Sequence, residues 1–343
     1  IKKRLIDYCE PIRDPKVLLV SPRITIPKYM QKRCIPPLGI SYIAASLLES
    51  NIDVDIFDCC VEGWHIEKES QSGSLITYGL PPAEMLEKIK DKKYDIVGIS
   101  VLFSTDLPNL YETTKAIKEK MPNAIIVTGG LHPTIYPKEI FDLDMLYNKR
   151  RTIDFVMRGE GEFRFVEFLN NLKEGQIDLS ADGLCGFNEK KIFINSQIKT
   201  IEDLDTIPFP AFELLPIEKY FKINIPFSPV PQGDRVLPIL TTRGCPIGCS
   251  FCANTNTWKK HRKRSPDNII EEVAYLKKKF NIDELQFADD NLTFDNKHAI
   301  EKFTRLKEEN ILWCTPNGTM INKLTPELIK VMAESGMYQI TLS

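Results

Sequence analysis

Short apolar runs alternate with longer segments of helical pattern in the first half of the chain. The predicted strands cover residues 16–21, 54–57, 96–102, 124–127 and 155–157, and the predicted helices cover 40–50, 83–90, 107–120 and 162–173. Apolar runs of this length are typical of strands that are buried on both faces. Strands that alternate with helices imply right-handed crossovers. This half therefore predicts an α/β fold with a doubly wound, flavodoxin-like parallel sheet, in which ligands lie at the carboxyl ends of the strands.

A second alternation begins at residue 237. Its predicted strands cover 237–242, 284–288, 313–315 and 338–342, and its predicted helices cover 266–280, 296–309 and 326–335. In the first of these helices, Ile269, Val273 and Leu276 follow helical spacing, and Asp267 stands in the first turn, where the helix dipole favours it. Successive βα units predict a (β/α) partial barrel. The series stops after about four strands, so we expect the barrel to be incomplete at Ser343.

The segment between the two alternations is irregular. Residues 184–197 predict a hairpin that turns at 188–190, and residues 200–236 are rich in proline, as in a linker packed over a surface. The expected division is an α/β domain at 1–180, the hairpin and linker at 181–236, and the barrel at 237–343. The polar segment 22–38 is predicted to be a loop.

Composition and charge narrow the possible functions. The formal net charge is −2, so no overall field attracts the protein to nucleic acid or to an anionic membrane. The basic run 259–264 is either a solvated stretch or a phosphate-binding patch. The sequence contains no apolar run long enough to span a bilayer and no secretory signal core, although both of its ends look cut. Nine cysteines without a signal peptide predict a reducing compartment, the cytoplasm, where clustered thiols are more often metal ligands than disulfides.

Three cysteines stand close together after the first strand of the second alternation. Cys245, Cys249 and Cys252 are separated by three and then two residues. Zinc sites usually present four ligands, so a zinc site here needs a distant residue such as His261 or Cys314. A [4Fe–4S] cluster takes irregular thiolate spacings and can leave one iron without a protein ligand. Three unrelated core cysteines are disfavoured because glycines and a proline make this segment a loop.

This pattern, C-x₃-C-x-Φ-C with Phe251 as the aromatic residue, resembles the signature of the radical S-adenosylmethionine (SAM) superfamily. The resemblance implies a [4Fe–4S] cluster on Cys245, Cys249 and Cys252, shielded by Phe251. Its fourth iron would chelate SAM, which one electron would cleave to a 5′-deoxyadenosyl radical. The SAM contacts that the resemblance implies at later strand ends are Asp289, Asp290, Asn317 and Ser343.

Asp and Asn are also common turn and cap residues, so this second interpretation of the four SAM positions stays open. Cys314 is expected to be a strand residue rather than a metal ligand.

Two loops of the first domain carry small residues directly after predicted strands. Ser100 and Leu102 form S-x-L after the third strand, and Gly129 and Gly130 follow the fourth. A serine hydroxyl can hydrogen-bond a buried ligand, and paired glycines let that ligand lie against the backbone. Together with the motifs PPLG, GLHPT and RGEGE, these loops resemble the cobalamin-binding domain that precedes the radical SAM core in one large subgroup. The implied cobalamin contacts are Pro37, Gly39, Ser100, Leu102, Gly129, Gly130, His132, Pro133, Gly159, Glu160, Gly161 and Glu162.

The cobalt ligand is a point of difference from many cobalamin domains, which carry a histidine after the first strand. Residues 22–38 contain no histidine, so the resemblance implies cobalt without a histidine from that motif. The stretch 58–63 has similar spacing but follows the second strand, and we interpret it as a coincidence. We expect His132 to fix its loop by a hydrogen bond rather than to bind cobalt.

The resemblance covers nearly the whole chain and implies a cobalamin-dependent radical SAM methyltransferase. One SAM would methylate cob(I)alamin, and a second would yield the radical that activates an unactivated carbon of the substrate. Two alternatives stay open: a cobalamin-dependent rearrangement or cyclisation enzyme without methyl transfer, and a non-enzymatic cobalamin- or flavin-binding sensor with a structural metal site. The expected partners are a small-molecule or peptide substrate and an external electron donor of the flavodoxin or ferredoxin type, with no nucleic acid. No catalytic residue is assigned.

Overall fold

The computed structural model describes residues 3–189, 191–258 and 260–343. Contacts divide the chain into two units. The first unit consists of the N-terminal segment to Met30 together with Gly39–Ile201 and Pro210–Leu215, and the second consists of Gln31–Leu38, Glu202–Phe209 and Pro216–Ser343. Residue 190, at the predicted hairpin turn, and residue 259, at the start of the basic run, lie outside the described residues. Within the described ranges, no helix is long and apolar enough to cross a membrane.

The strands and helices of the first unit follow one another in the alternation that the apolar pattern predicts. The strands are β1 (Leu5–Asp7), β2 (Val17–Ser21), β3 (Ile24–Pro27), β4 (Val54–Asp58), β5 (Glu67–Glu69), β6 (Leu75–Tyr78), β7 (Ile96–Ser100), β8 (Ile125–Gly129), β9 (Phe155–Met157), β10 (Gln176–Asp178), β11 (Leu184–Asn188) and β12 (Lys191–Ile194). The helices are α1 (Leu38–Glu49), α2 (Cys59–Glu62), α3 (Pro82–Lys88), α4 (Leu107–Lys120), α5 (Leu131–Ile135), α6 (Pro137–Asn148) and α7 (Glu162–Lys173).

The main sheet of this unit has the order β12-β11-β9-β8-β7-β2-β4. Strands β4, β2, β7, β8 and β9 are parallel, and the β11–β12 hairpin adds to β9 in antiparallel fashion. When the five parallel strands are numbered in chain order, their order across the sheet is 2-1-3-4-5, which is the flavodoxin-like order. The α/β prediction for this half is therefore confirmed, and the loops after β7, β8 and β9 share the carboxyl edge of the sheet.

The first unit also contains elements that the sequence did not predict, among them helix α6 and the short strands β1, β5 and β10. The segment predicted as a loop at 22–38 contains β3, which pairs with β6, and β6 in turn pairs with β5, in a separate antiparallel sheet. The Thr25 and Thr77 hydroxyls lie 2.8 Å apart across this pair. Because these strands are short and their partners lie about fifty residues apart in the chain, local pattern does not reveal them.

The second unit contains a parallel sheet with helices between its strands. The strands are β13 (Val236–Ile239), β14 (Thr242–Arg243), β15 (Arg262–Lys263), β16 (Glu284–Phe287), β17 (Leu312–Thr319) and β18 (Met337–Leu342). The helices are α8 (Ile217–Ile223), α9 (Pro266–Phe280), α10 (Asn296–Leu306) and α11 (Pro326–Glu334). The sheet order is β13-β16-β17-β18, with all neighbours parallel, as expected for part of a (β/α) barrel.

Local sequence signals explain the bounds of α9. The Ser265 side chain accepts a hydrogen bond from the Asn268 N–H, Pro266 occupies the first helical position, and Asn281 ends the helix in the left-handed conformation. The core beneath this helix and its neighbours is aromatic, with Trp313 stacked on the Phe303 ring at a centroid distance of 4.4 Å. This stacking joins α10 to the beginning of β17.

Three predictions for the second unit need correction. Helix α8 lies inside the proline-rich segment predicted as an irregular linker. Strand β17 continues to Thr319, with a register shift against β18 between Thr315 and Gly318, so Asn317 is part of an irregular strand rather than of a loop after it. Arg262 and Arg264 of the basic run are buried, so the run is neither a solvated stretch nor an exposed phosphate patch as a whole.

Candidate functional site

The three cysteines lie on a loop that leaves β14 and returns in β15, and these two strands pair with each other. The Cys245 N–H donates to the Trp258 carbonyl at 3.0 Å, and the Cys252 N–H donates to the Cys249 carbonyl at 3.0 Å. Gly244 adopts φ +85°, and a Cβ there would stand 2.4 Å from the Lys260 carbonyl oxygen. The loop therefore requires glycine immediately before its first cysteine.

None of the three cysteines of this loop forms a disulfide, and they are open to solvent to different degrees. Cys249 is exposed, whereas Cys245 and Cys252 are half-buried. In the part of the chain that the structure describes, no group of three His, Cys, Asp or Glu side chains is close enough to enclose a single metal ion. A [4Fe–4S] cluster does not require three side chains around a single ion, because each thiolate binds a separate iron atom. Three accessible thiols on one loop have the donor chemistry of such a cluster.

The side chains proposed to complete a zinc site are engaged elsewhere. Cys314 is buried in β17, as predicted for a strand residue, and burial raises the pKa of its thiol to about 11. The His261 ring packs against Phe294 and hydrogen-bonds the backbone of Asn291.

Phe251 has an orientation that the sequence did not predict. Its side chain is 91% exposed, so in this structure the ring projects into solvent rather than over the cysteines.

The segment after β16 contacts the cysteine loop and the strand that precedes it. Asp289 is buried, and its carboxylate accepts hydrogen bonds from the Thr241 hydroxyl at 2.8 Å and the Thr242 hydroxyl at 2.6 Å. The Asp290 carboxylate is hydrogen-bonded to the Gly244 backbone and to the Asn254 side chain. Gly244 precedes the first cysteine and Asn254 follows the last, so Asp290 holds both ends of the loop. The Asp289 and Asp290 carboxylates therefore stabilise the cysteine loop and the residues that precede it.

The two remaining residues predicted at strand ends lie farther along the same edge. The Asn317 amide donates to the backbone carbonyls of Ala288 at 3.0 Å and Asp289 at 3.1 Å. Ser343 is exposed, and its backbone N–H donates to the Thr319 carbonyl at 3.0 Å. Asn317 therefore ties β17 to the residues that follow β16, whereas the structure shows no contact of Ser343 with the cysteine loop among the described residues.

Buried charges lie beneath the cysteine loop. Lys302 is fully buried, and its ammonium donates to the Thr241 hydroxyl at 2.8 Å. Burial lowers the pKa of Lys302 to about 8, although Asp289 opposes this change. Arg264 and Glu272 form a buried ion pair, and burial raises the pKa of the Glu272 carboxyl while Arg264 opposes this. The strand that leads into the loop is thus held by a polar network rather than by apolar packing alone.

In the first unit, the predicted cobalamin loops converge on one small cavity of about 60 Å³. The loops after β7, β8 and β9 contribute to its wall, and α1 contributes apolar side chains. The lining residues that the sequence predicted are Ser100, Gly129, Gly130, Gly159 and Gly161. Gly130 has φ +105°, and a Cβ there would stand 2.3 Å from the Val101 carbonyl oxygen. The glycines keep this apolar slot open at the carboxyl edge of the sheet.

The side chain of Thr134, the last residue of GLHPT, joins this motif to RGEGE by hydrogen bonds. The Thr134 hydroxyl donates to the Gly130 carbonyl at 2.7 Å and accepts from the Gly159 N–H at 2.9 Å. His132 is buried, and its Nδ1 lies 2.9 Å from the Ser104 hydroxyl. Burial also lowers the pKa of the His132 ring. The hydrogen bond is of the loop-fixing kind that the sequence predicts for this histidine.

The other predicted cobalamin residues do not line the cavity. Leu102 is 54% exposed, and Gly39 lies exposed in the first turn of α1. The Glu160 carboxylate accepts from the Ile201 N–H at 2.7 Å, so it braces its own loop. The rest of this set is placed as follows: Pro133 is buried in α5, Glu162 is buried at the start of α7, and Pro37 is half-buried just before α1.

Comparison with protein families matches both halves of the chain. Residues 31–169 match the B12 binding domain model, and residues 239–343 match the radical SAM superfamily model. The chain is also 33% identical to cytidylyl-2-hydroxyethylphosphonate methyltransferase of Streptomyces wedmorensis, over 97% of this chain and 66% of that protein. The chain belongs to the B12-binding radical SAM proteins.

Further relatives and solved structures agree with this family. Anaerobic magnesium-protoporphyrin IX monomethyl ester cyclase of Synechocystis is 27% identical over 84% of this chain and 51% of that protein. The structure of TsrM from Kitasatospora setae, a radical SAM methyltransferase with cobalamin and a [4Fe–4S] cluster bound, superposes with a TM-score of 0.70 at 15% identity. That match covers 96% of this chain and 61% of TsrM and shows the shared fold. This B12-binding radical SAM chain thus spans about half to two thirds of the length of the curated relatives it matches.

Two residues of this site were missed by sequence reasoning. Asn291 follows Asp289 and Asp290, and its amide nitrogen lies 3.6 Å from the Cys245 sulfur. Lys302 lies in α10, where a lysine ordinarily predicts an exposed position. The adjacency of Asn291 to two carboxylates was a usable signal, whereas nothing local marked Lys302.

Proposed function

We propose that this chain is the cofactor-binding part of a cobalamin-dependent radical SAM methyltransferase that methylates an unactivated carbon. The observation that carries the proposal is the placement of Cys245, Cys249 and Cys252, none of them in a disulfide, on one loop whose two ends are both bonded to Asp290. The similarity to a methyltransferase over nearly the whole chain supports methyl transfer as the outcome. We assign cobalamin binding to residues 1–180 and SAM binding to residues 237–343, joined by 181–236.

In this proposal the cysteine loop holds a [4Fe–4S] cluster through its three thiolates. When bound, the cluster supplies the electron and the open iron site with which radical SAM enzymes cleave SAM. The chain contributes three ligands and no fourth from this loop, so the coordination of one iron stays free. Asp290 keeps the loop ends together, and the Asp289 carboxylate anchors Thr241 and Thr242 beneath it. The reducing electron comes from an external donor of the flavodoxin or ferredoxin type.

Cobalamin is assigned to the glycine-lined cavity at the edge of the first unit. The fit rests on Gly129, Gly130 and Gly159, whose missing side chains leave backbone exposed to an apolar slot, and on the hydroxyl of Ser100. His132 is engaged with Ser104, so we propose that it does not bind cobalt. The substrate is a small molecule or a peptide, and nine cysteines with no disulfide among them in the described residues fit a reducing, cytoplasmic environment.

Anaerobic reconstitution of the chain with iron, sulfide and hydroxocobalamin tests the proposal. We expect the absorbance of a four-iron cluster, retention of cobalamin through gel filtration, and cleavage of SAM after reduction with dithionite. Cys245→Ala should abolish the cluster absorbance and SAM cleavage while leaving cobalamin bound. Cys314→Ala is the matched control, because this buried cysteine lies on a neighbouring strand outside the loop. A colourless zinc protein that binds no cluster would contradict the proposal.

A cyclisation or rearrangement enzyme is the second candidate function, and the similarity of this chain to an anaerobic cyclase supports it. The two candidates differ in the fate of the SAM methyl group. With deuterated methyl-SAM, a methyltransferase releases S-adenosylhomocysteine as well as 5′-deoxyadenosine and passes the label to the product. A cyclase forms 5′-deoxyadenosine and leaves the product unlabelled.

A further inference from the structure

Asn291 makes a contact with a predicted cluster ligand that no sequence motif announces. Its side chain is 2% exposed, and its Nδ2 lies 3.6 Å from the Sγ of Cys245, within the range of an N–H···S hydrogen bond. The same amide nitrogen lies 3.1 Å from the Met320 sulfur. The amide therefore directs its N–H groups at two sulfur atoms in a site with little access for water.

Neighbouring residues hold the backbone of Asn291 in place. The His261 ring hydrogen-bonds this backbone, and the backbone carbonyl of Asn291 accepts from the Phe294 N–H at 3.5 Å. The preceding residue, Asp290, is itself bonded to the backbone of Gly244, next to Cys245. The Asn291 backbone and the cysteine loop thus belong to one hydrogen-bonded unit, which places the Asn291 side chain beside Cys245.

The chemistry of a cluster-bound cysteine favours this donor. A coordinated thiolate accepts hydrogen bonds and donates none, so it selects the N–H side of the amide. Reduction adds negative charge to the cluster and its sulfur ligands, which strengthens an N–H···S bond and stabilises the reduced form. Hydrogen bonds to the sulfurs are among the factors that set the reduction potential of Fe–S clusters.

We propose that Asn291 is a positioning residue whose amide donates to the Cys245 thiolate and raises the reduction potential of the cluster. This inference rests on the proposed function, since it requires a cluster on the three cysteines. Asn291 contacts the predicted cluster ligand Cys245 and would act through it. Its effect is on the one-electron equilibrium between the oxidised and reduced cluster.

A redox titration of the reconstituted chain, with dithionite as the reductant and electron paramagnetic resonance as the readout, measures this equilibrium directly. Asn291→Leu keeps the branched shape of the side chain and removes both N–H groups. We expect the midpoint potential to become more negative by about 59 mV, which corresponds to a tenfold change for one electron. Asn291→Asp places a carboxylate beside the thiolate and should lower the potential further.

Thr293→Val provides a matched control in the same segment. Thr293 is fully buried, and in the described part of the chain its hydroxyl has no hydrogen-bond partner. This variant should titrate like the wild type. Equal midpoints for wild type, Asn291→Leu and Asn291→Asp, at equal iron and sulfide content, would overturn the inference. If the leucine variant forms no cluster, the midpoint potential of the aspartate variant is compared with that of the wild type instead. A wild-type chain that forms no cluster refutes the proposed function and with it this inference.

Discussion

Lys302→Met probes the buried charge beneath the cysteine loop. The Lys302 ammonium lies inside the second unit, 4.9 Å from the centre of the Phe303 ring, with the Thr241 hydroxyl as its hydrogen-bond acceptor. Methionine keeps an unbranched side chain of similar length and removes the charge. The Asp289 carboxylate retains its hydrogen bonds from the Thr241 and Thr242 hydroxyls in this variant.

The magnitude follows from the pKa of Lys302. Burial lowers it from 10.5 to about 8, and a tenfold change in proton affinity is worth about 1.4 kcal/mol, so the buried charge costs about 3 kcal/mol. Below pH 8 the lysine is protonated in the folded and the unfolded chain, and this cost is constant. Between pH 8 and 10.5 the folded chain loses the proton while the unfolded chain keeps it, so the folded state gains stability as the pH rises.

Urea unfolding of the wild type and Lys302→Met at several pH values measures this effect. Trp313 stacks on Phe303, so its fluorescence reports on this core when Trp64 and Trp258 are replaced by phenylalanine in both proteins. The difference in unfolding free energy, wild type minus variant, should rise by about 2.5 kcal/mol between pH 7 and pH 10. Titration of tyrosines and other cysteines affects both proteins equally and cancels in this difference.

Lys297→Met, on the exposed side of the same helix, is the control and should give a difference that does not change with pH. A pH-independent difference for Lys302→Met as well would refute the reasoning, because it would mean that the buried lysine binds its proton as tightly as it does in the unfolded chain.

Three further perturbations test other parts of the molecule. Gly130→Ala places a methyl group against the Val101 carbonyl at a positive φ and should lower the unfolding free energy of the first unit by about 2 kcal/mol in calorimetry, whereas Gly39→Ala, with open space around it, should be close to neutral. Asp290→Ala releases both ends of the cysteine loop and should speed the transfer of cluster iron to a chelator at least tenfold, as expected when a residue that orients metal ligands is lost. An unchanged transfer rate would contradict the role of Asp290 in holding the loop ends. Burial raises the pKa of Asp106 to about 7, so the folded state loses stability as the pH rises from about 4 to 7. Asp106→Asn should match the stability of the wild type near pH 4 and exceed it by about 4 kcal/mol above pH 7. Equal stabilities at pH 8 would contradict this.

Elements with strong local signals were predicted closely from the sequence. The bounds of α4, α7 and α9 are those that the apolar period and the terminal residues indicate. In α9 the N-cap serine, the proline at the first position and the asparagine after the last are all signals within the helix or next to it. Strands β3 and β6 were missed because each is short and is stabilised by the other, far away in the chain.

The sequence alone determined the main alternation of strands and helices, the flavodoxin-like and (β/α) classes, and the three-cysteine loop, because spacing and apolar period are properties of neighbouring residues. The tertiary structure decided what the polar residues around that loop do. The sequence offered Asp290 as a SAM contact or a turn residue and did not single out Asn291 or Lys302. In the structure Asp290 holds the loop ends, Asn291 contacts Cys245, and Lys302 lies buried beneath the preceding strand. Hydrogen-bond partners and burial depend on residues that are forty to sixty positions away, and only the packing of β13, β16 and α10 brings these together.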